Sequence, residues 1–589
     1  MATVGDFLLE RLRQWGVRRI FGYPGDGING IMAAFGRQDA VEFIQSRHEE
    51  MSAFMACGHA KFTGEVGVCL ATSGPGAIHL LNGLYDAKLD HQPVVAIVGQ
   101  QKRSALGANY QQEVDLVSLF KDVAGEYVQM ATSNEQLRHL VDRAVRIALS
   151  ERCVTCIILP SDLQEEDAVH FPPREHGYTF SGLGAPSRAH AAPDEALRAA
   201  AAILNAGSKV AILAGAGAHG AHAELTEVAD LLGAGVAKAL LGKAVLADNL
   251  PFVTGSVGIL GTEASNAMLR DCDTLLIVGS SFPYAEFLPP EGQARGVQID
   301  IDGRMLGLRY PMEANLMGDA RSTLRALIPL LERKEERAWR ERIERDIVQS
   351  RRQLADKALE PAKPINPQRV FTELSPRLPE GAILAGDSGS VAAWYALHLA
   401  LRPGMLASLS GTLATMGSAV PYALAAKLAH PDRPVIALAG DGAMQMNGIN
   451  GLISLAWHWQ QRRWPDAAFV VLVLNNRDLN FVTWEQRGMQ GEPKFQASQQ
   501  LPDFSYADYA RMLGLAGERI EDPEQLGAAW ERAQASDKPF VLEAVVDPNI
   551  PPLPPHMVEK QREHYEEAIA KGDAEAGDIR RGADAQSDS

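Results

Sequence analysis

Long hydrophobic runs are missing from this sequence of 589 residues. The longest, such as 469–474, have the length of a β-strand, whereas a membrane-spanning helix needs about 20 apolar residues. The N-terminus also lacks a basic segment followed by an apolar stretch, so we expect neither a strong membrane segment nor a secretory signal. Cysteine is scarce, with five residues, which argues against a disulfide framework and favours a reducing, cytoplasmic location.

The sequence contains fewer basic residues than acidic ones. Lys and Arg number 56 against 73 Asp and Glu, which gives a formal net charge of −17. Nucleic-acid affinity depends mainly on cationic groups that neutralise phosphates, so this balance argues against a nucleic-acid partner. The chain is nevertheless able to bury a large core, because 46% of its residues are hydrophobic, and disorder of the whole chain is excluded.

The pair Cys153 and Cys156 forms a single CxxC motif that leads into a strand-like run. Two sulfurs alone do not complete a tetrahedral metal site. We therefore favour a structural role for this pair over zinc binding or redox chemistry.

Short apolar runs alternate with amphipathic stretches along most of the chain. Representative runs are 66–71, 94–98, 210–214, 274–278, 435–439 and 469–474. Runs without polar alternation suit strands that are buried on both faces, as in parallel sheets covered by helices. The pattern predicts an α/β protein made of doubly wound parallel-sheet domains.

Two connectors divide the chain. Residues 171–193 are rich in Pro and Gly, and residues 332–360 are dense in Glu and Arg, as in a solvated helix. The predicted units are an N-terminal domain at 1–170, a central domain at 190–330, a helical linker at 331–364 and a C-terminal domain at 365–548. The segment 549–589 begins with prolines and ends in small polar residues, which predicts a flexible, partly disordered tail.

Polar residues follow two of the predicted strands. The motif Gly440-Asp441-Gly442 comes after the run 435–439, and Asn475-Asn476 closes the run 469–474. The carboxyl ends of parallel strands form the ligand-binding edge of an open α/β sheet. Asp and Asn oxygens suit Mg²⁺, and glycines let a phosphate approach the backbone. The two motifs therefore predict a magnesium and phosphate site at this edge.

These motifs resemble the signature of thiamine-diphosphate-dependent enzymes. The resemblance covers about residues 1–550 and is strongest to pyruvate oxidases of the ubiquinone-dependent type, then to acetolactate synthases. It implies domains that bind the pyrimidine, FAD and the diphosphate, in that order. It also implies Mg²⁺ ligands at the Asp441 and Asn476 side chains and the Asp478 carbonyl. The other residues that it implies around this end of the cofactor are Ser390, Gly442, Ala443, Ala414, Thr415 and Met416, with Met416 forcing the cofactor into a V shape.

A second motif lies near the N-terminus. His48-Glu49-Glu50 precedes a helix of small residues and resembles the family segment that carries the catalytic glutamate. The resemblance implies that the Glu49 carboxyl exchanges a proton with the aminopyrimidine ring. Without that context, acidic residues at a helix start would serve only the helix dipole.

The residues Gly25, Ser73 and Gly74 match the family loops that pack beside the pyrimidine. In the family, this half-site joins the diphosphate half-site of another subunit. The resemblance therefore implies a homodimer or a dimer of dimers.

The central domain decides whether a flavin is bound. Residues 215–220 read GxGxxG, a weak signal because no acidic residue closes a second strand about 20 residues later. Wider similarity to pyruvate oxidases implies bound FAD, and a vestigial domain without redox chemistry is the alternative. The implied FAD contacts are Gly215, Gly217, Val257, Gly258, Ile259, Leu260, Ser280, Ser281, Phe282, Pro283, Tyr284 and Asp300.

Four residues bear on the substrate. The resemblance places Phe481 between thiamine and flavin and Glu485 toward the substrate. Without the resemblance, Phe481 would be interpreted as a core residue and Glu485 as a surface residue. Gln112 matches the family, but Gln111 stands where pyruvate oxidases have a Phe against the alkyl group of pyruvate. An amide needs hydrogen-bond partners, so a more polar 2-oxo acid is an alternative to pyruvate.

Two segments depart from the family pattern. The stretch between the two motifs of the C-terminal domain is longer than usual, and we interpret the excess, 457–466, as a surface loop that leaves the metal site intact. Ubiquinone-dependent oxidases of this type end in an amphipathic lipid-binding segment. Here 557–570 is compatible with a helix but crowded with charges, so membrane activation is not supported.

The combined expectation is oxidative decarboxylation of a small 2-oxo acid with thiamine diphosphate, Mg²⁺ and FAD, with quinone or oxygen as electron acceptor. The alternative is a non-redox carboligase or decarboxylase of the acetolactate synthase type. A catalytically silent relative is disfavoured because Glu49, Asp441 and Asn476 are all present.

Overall fold

The computed structural model of the chain describes residues 2–466, 468–552 and 559–587. Three six-stranded sheets follow one another along it, and the pairings between their strands are parallel. Helices cover the sheets. The predicted α/β fold with three parallel-sheet domains is confirmed.

The first sheet has the strand order β2-β1-β3-β4-β6-β5. Its strands are β1 Arg19–Gly22, β2 Glu42–Gln45, β3 Gly67–Ala71, β4 Val94–Gln100, β5 Val128–Met130 and β6 Val154–Pro160. Its helices are Val4–Gln14, Asn29–Phe35, Glu49–Thr63, Pro75–His79, Leu81–Leu89, Leu116–Phe120 and Leu137–Glu151. Every residue of β3, β4 and β6 is buried, as expected for central parallel strands.

The second sheet has the order β12-β11-β10-β7-β8-β9. Its strands are β7 Val210–Ala214, β8 Gly235–Lys238, β9 Val253–Ser256, β10 Thr274–Val278, β11 Arg295–Asp300 and β12 Ala314–Met317. Its helices are Asp194–Ala206, His222–Leu231, Glu263–Asp271 and Ala320–Leu327. The helix Ala338–Leu359 then leads to the third sheet, within the segment where the charge pattern predicts a helical linker.

The third sheet has the order β14-β13-β15-β16-β18-β17. Its strands are β13 Ile383–Gly386, β14 Leu406–Ser408, β15 Val435–Gly440, β16 Phe469–Asn475, β17 Ala516–Ile520 and β18 Phe540–Val545. Its helices are Pro367–Leu374, Ser390–His398, Ala419–Ala429, Asp441–Ala443, Ile449–Gln460, Asn480–Gln490, Gln496–Gln499, Tyr506–Met512 and Leu526–Gln534.

The first and third sheets share one hydrophobic core. The helix Glu49–Thr63 packs against the helix Ala419–Ala429, and buried residues from both sheets join the same cluster. A Cβ on Gly58 would lie 2.9 Å from the Tyr422 Cα, so the small residue lets the two backbones approach. This contact fixes how the two domains sit on each other.

The predicted surface loop at 457–466 is wrong in part. Residues 457–460 complete the helix Ile449–Gln460, and Trp464 beyond it is only 3% exposed. The Trp464 ring stacks on Phe469 with centroids 6.3 Å apart, and Asp466 pairs with the buried Lys427 Nζ at 2.7 Å. An aromatic anchor and an ion pair therefore hold the excess residues against the sheet.

The described part of the tail is helical and contacts the C-terminal domain. Residues 553–558 and 588–589 lie outside the described chain, but Glu559–Ala570 and Ala576–Ser587 are helices. Tyr565 packs edge-on against Trp484 with ring centroids 5.4 Å apart, and Ile579 is buried in the same cluster. The charged composition concealed this small apolar contact.

A buried ion pair reinforces the contact between the tail and the helix Asn480–Gln490. The Arg487 guanidinium donates to both carboxylate oxygens of Asp573, at 2.9 and 3.1 Å, and both side chains are almost fully buried. Among the described residues, none of the helices combines the length and hydropathy that crossing a bilayer requires.

We expect Asp573→Ala to lower the free energy of unfolding by about 3 kcal/mol, because the buried Arg487 guanidinium loses its bidentate partner and keeps only the Glu575 carboxylate. Thermal unfolding of the full chain measures the effect. Lys571→Ala is the control, since its ion pair with Glu492 is exposed and should change stability by less than about 1 kcal/mol. Equal melting temperatures for the two variants would contradict this account of the tail.

Candidate active site

The edge of the third sheet brings the two predicted polar motifs together. Strands β15 and β16 are neighbours, with Gly440 opposite Leu474, so Asp441 and Asn476 follow adjacent strand ends. Both side chains are buried, at 3% and 7% exposure. Asp441 accepts hydrogen bonds from the backbone N–H groups of Gly442 and Arg477.

The helix that begins at Asp441 continues as one turn of π-helix, Met444–Gly448. Such turns are rare and are frequent at functional sites. The Tyr506 hydroxyl donates to the Asp441 carbonyl at 3.2 Å, which ties the start of this helix to a neighbouring one.

The electrostatics of this edge suit a divalent cation. Burial raises the pKa of Asp441 to about 7, despite the N–H groups that it accepts. Carboxylate and amide oxygens are ligands that Mg²⁺ prefers, and a cation would offset the cost of a buried carboxylate. The Asp478 carboxylate already accepts from Lys494 at 3.0 Å and Thr483 at 3.1 Å, which favours its carbonyl as a metal ligand.

One cavity of about 1640 Å³ extends from this edge to the edge of the second sheet. Several residues of the C-terminal domain that we predicted to bind cofactor or substrate line it. They are Ser390, Ala414, Met416, Asp441, Gly442, Ala443, Asn476, Asp478, Phe481 and Glu485. The predicted residues of the second sheet that line it are Gly217, Val257, Ile259, Leu260, Ser280, Ser281, Phe282, Pro283, Tyr284 and Asp300.

Three of the residues predicted to contact the cofactors do not line the cavity, namely Gly215, Gly258 and Thr415. A Cβ on Gly215 would lie 2.4 Å from the Gly279 carbonyl oxygen, and one on Gly258 would lie 2.9 Å from the Phe282 ring. These two glycines are therefore explained by packing between loops. The Thr415 hydroxyl faces the N-terminal domain, where it accepts from the Asn82 amide at 3.0 Å.

The N-terminal residues form a separate group around the turn 72–76. A Cβ on Gly25 would lie 2.6 Å from Thr72, and one on Gly74 would lie 2.8 Å from the Gln112 Cβ. Ser73 accepts from the Gln101 amide at 3.3 Å, and the turn continues into Gly76, whose Cβ would lie 3.1 Å from the Glu49 Oε1. None of the predicted N-terminal residues, Gly25, Glu49, Ser73, Gly74, Gln111 and Gln112, lines the described cavity.

Glu49 begins its helix with a buried side chain, 7% exposed. The His79 Nδ1 lies 3.0 Å from the Glu49 Oε2, and the His48 ring stacks on His79 with centroids 4.5 Å apart. The three side chains offer ligand atoms within 4.8 Å of one another. However, the His48 Nδ1 accepts the Glu50 N–H at 3.2 Å and caps the helix, so we interpret the group as a hydrogen-bonded setting for Glu49.

The two glutamines differ in their environment. Gln111 is exposed, so one chain alone does not place it in a pocket. Gln112 has a left-handed backbone, with φ of 62°, and its buried Oε1 has no hydrogen-bond partner among the described residues. An orphaned buried acceptor suits a ligand or partner group that donates to it.

Many residues that line the cavity were not predicted from the sequence, and Arg188 is one of them. It lies in the Pro/Gly-rich connector, and its buried Nη1 has no partner within the described chain. An arginine in a connector is a weak signal that could have been noted. Leu241 also lines the cavity.

Family models match the chain in three parts. The N-terminal TPP binding domain of thiamine pyrophosphate enzymes matches residues 2–119, their central domain 197–327, and their C-terminal TPP binding domain 387–544. The chain belongs to the thiamine pyrophosphate enzyme family. Thiamine pyrophosphate is thiamine diphosphate, so this family member is a thiamine-diphosphate-dependent enzyme.

Individual family members align over nearly the whole chain. A thiamine pyrophosphate-containing protein of Bacillus subtilis is 34% identical over 97% of this chain and 96% of its own length. A pyruvate oxidase of Lactiplantibacillus plantarum is 30% identical over 92% and 88%, respectively. The acetolactate synthase isozyme 2 large subunit of Escherichia coli is 30% identical over 93% and 97%. Overall identity thus does not separate the last two activities for this family member.

We expect Gly442→Ala to weaken binding of thiamine diphosphate with Mg²⁺ by at least about tenfold, because steric exclusion of one contact group costs a kcal/mol or more. Its Cβ would lie 2.8 Å from Leu479 Cδ2 and occupy the cavity. Titration calorimetry measures the dissociation constant. Gly182→Ala is the control, since its Cβ would meet nothing within 4 Å and the residue does not line the cavity. Similar affinities for the two variants would contradict a cofactor cradle at Gly442.

Proposed function

We propose that this enzyme oxidatively decarboxylates a small 2-oxo acid with thiamine diphosphate, Mg²⁺ and FAD. The observation that supports this proposal is the continuity of the cavity between the two sheet edges. Its volume of about 1640 Å³ exceeds that of an ordinary small-ligand pocket, roughly 300–1,000 Å³. Two cofactors in one cavity can exchange electrons directly, which a non-redox thiamine enzyme would not require.

At the third sheet, the Asp441 and Asn476 side chains and the Asp478 carbonyl would hold Mg²⁺. Ser390, Gly442 and Ala443 would hold the diphosphate, with Ala414, Thr415 and Met416 in the loop below the cofactor. Thiamine diphosphate supplies the electron sink for loss of CO₂, and FAD supplies the acceptor for two electrons. The protein supplies orientation and proton transfer.

Proton transfer falls to two carboxyl groups in different settings. Glu49, buried and hydrogen-bonded to His79, would hold a proton against the aminopyrimidine ring. Glu485 lines the cavity, and partial burial raises its pKa, so it would hold a proton near the substrate. Phe481, from the same helix as Glu485, would fill the space between thiamine and flavin.

In this proposal, residues of the central domain would bind the flavin. The predicted loops Val257–Leu260 and Ser280–Tyr284 converge on the cavity, and Asp300 ends β11 there. A carboxylate at a strand end suits a ribose hydroxyl, and the unpartnered Arg188 Nη1 suits a phosphate. Quinone or oxygen would then reoxidise the flavin.

Absorption spectra test the proposal. The full chain, reconstituted with FAD, thiamine diphosphate and Mg²⁺, is mixed without oxygen with pyruvate and with 2-oxo acids that carry a hydroxyl or carboxyl side chain. We expect one of them to bleach the flavin bands in the wild type and none to do so in Asp441→Asn. Preference for a polar acid would assign Gln111 to the substrate pocket. Flavin that stays oxidised while CO₂ is released would favour a carboligase or decarboxylase of the acetolactate synthase type, and absence of bound flavin would exclude the oxidase.

A homodimer, or a dimer of dimers, is part of the same proposal. Glu49 does not line the cavity of its own chain, so a second copy would have to supply this carboxyl. Glu49→Gln and Asp441→Asn should each be inactive. Their co-expression should restore about a quarter of the wild-type activity, because half of the random dimers are mixed and each has one intact site of two. Activity no higher than that of the single variants would contradict a shared site.

A further inference from the structure

The segment 409–418 joins β14 to the helix Ala419–Ala429 and carries the residues that we place below thiamine. It contains no helix or strand, and both Ala414 and Gly417 have left-handed backbones, with φ of 55° and 92°. A segment without its own hydrogen-bond ladder takes its shape from contacts with its surroundings. Those contacts therefore decide how thiamine diphosphate would fit.

Both ends of this segment, here called the thiamine loop, bind to buried carboxylates. At its C-terminal end, Asp387 accepts from the backbone N–H of Gly417 at 2.9 Å and of Ala419 at 3.1 Å. At its N-terminal end, Asp90 accepts from the Gly411 N–H at 3.0 Å and the Thr412 N–H at 2.8 Å. Asp387 belongs to the same domain as the loop, whereas Asp90 belongs to the N-terminal domain.

Lys61 holds the Asp90 carboxylate in place. Its Nζ lies 2.6 Å from the Asp90 Oδ2 and also donates to the Leu409 carbonyl, and both side chains are nearly inaccessible. Burial disfavours ionisation of Asp90, but the Lys61 charge and the loop N–H groups outweigh it and keep its pKa below the ordinary value. Burial likewise opposes the charge on Lys61, yet Asp90 raises its pKa. The pair is therefore ionised at neutral pH.

The position of Asp90 is costly for its own helix. It follows Leu81–Leu89 as the C-cap, where the helix dipole disfavours a negative charge. Helix stability therefore does not explain this carboxylate, while its two bonds to the loop do.

The central domain meets the loop at the same point. A Cβ on Gly411 would lie 2.4 Å from the Leu241 Cγ, so the backbone that donates to Asp90 is pressed against a cavity residue of the second sheet. The loop is thus enclosed on two sides by other domains.

We propose that Asp90, held by Lys61, is a positioning residue that sets the shape of the thiamine loop and so the fit of thiamine diphosphate. The inference rests on the proposed function, which places the cofactor on this loop. Asp90 and Lys61 lie on the wall of the same cavity, but the role assigned to Asp90 here requires no contact with cofactor or substrate. It acts through the Gly411 and Thr412 amides.

The test uses Asp90→Asn in the full chain. An amide cannot accept from two loop N–H groups and pair with an ammonium at once, so the loop should loosen. We expect hydrogen exchange of peptides from 409–418 to accelerate, and the dissociation constant of thiamine diphosphate with Mg²⁺ to rise at least about tenfold. The near-ultraviolet circular dichroism of the bound cofactor should change as well, which a purely structural loss elsewhere would not produce.

The control is Glu10→Gln. Glu10 also pairs with a basic residue of the N-terminal domain, Arg13 at 2.8 Å, but its side chain is 43% exposed. Neither residue lines the cavity or contacts the loop, so cofactor affinity and the exchange of 409–418 should match the wild type.

A double variant separates positioning from folding. Asp90→Asn alone leaves the Lys61 ammonium buried and unpaired, which is expected to destabilise the fold. Combining it with Lys61→Met removes both charges and should recover most of the melting temperature, while exchange of the loop stays fast and the cofactor still binds weakly. Wild-type affinity and dichroism in the double variant would overturn the inference about Asp90. Failure of the wild-type chain to bind thiamine diphosphate would overturn the proposed function and this inference together.

Discussion

Packing of the helix Glu49–Thr63 against Ala419–Ala429 is the constraint on which the rest of the architecture depends. Gly58 lets the two backbones approach at Tyr422, and one core extends through the first and third sheets. Because this contact is close-packed, the two domains cannot turn relative to each other without opening a cavity. The contact holds Lys61 against the thiamine loop. It also fixes the orientation of Glu49, which lies at the N-terminal end of the same helix.

The local sequence pattern was sufficient to predict the strands and the part of the site at the edge of the third sheet. The runs 210–214 and 274–278 coincide with β7 and β10, since a strand buried on both faces excludes polar residues throughout. Asp441 and Asn476 could be paired from sequence because parallel neighbours end at the same edge. The family resemblance, now confirmed, added Glu49 to the predicted site. No local pattern indicates the role of this glutamate, and its role remains a proposal.

Contacts between segments that are distant in the sequence could not be predicted from local patterns. Asp90 and Lys61 read as ordinary surface charges, and their burial depends on a loop more than 300 residues away, at a separation of 321 between Asp90 and Gly411. The contact between the tail and the C-terminal domain was missed for the same reason, because Asp573 lies 86 residues from Arg487, its buried partner. Trp464 similarly gave no periodic signal in the 457–466 segment, yet it anchors that segment. Single buried partners leave no trace in composition.

The pairing of Arg487 with Asp573 also sets an order of events during synthesis. The two residues are separated by 86 positions, so at about 5–20 residues per second the ribosome delivers the carboxylate some 4–17 seconds after the guanidinium. Until then, a charge that is buried in the finished protein has no counterion, and the helix that carries Phe481 and Glu485 lacks its covering layer. The nascent chain can thus form its three sheets before the helix that carries Phe481 and Glu485 receives the contacts of the tail.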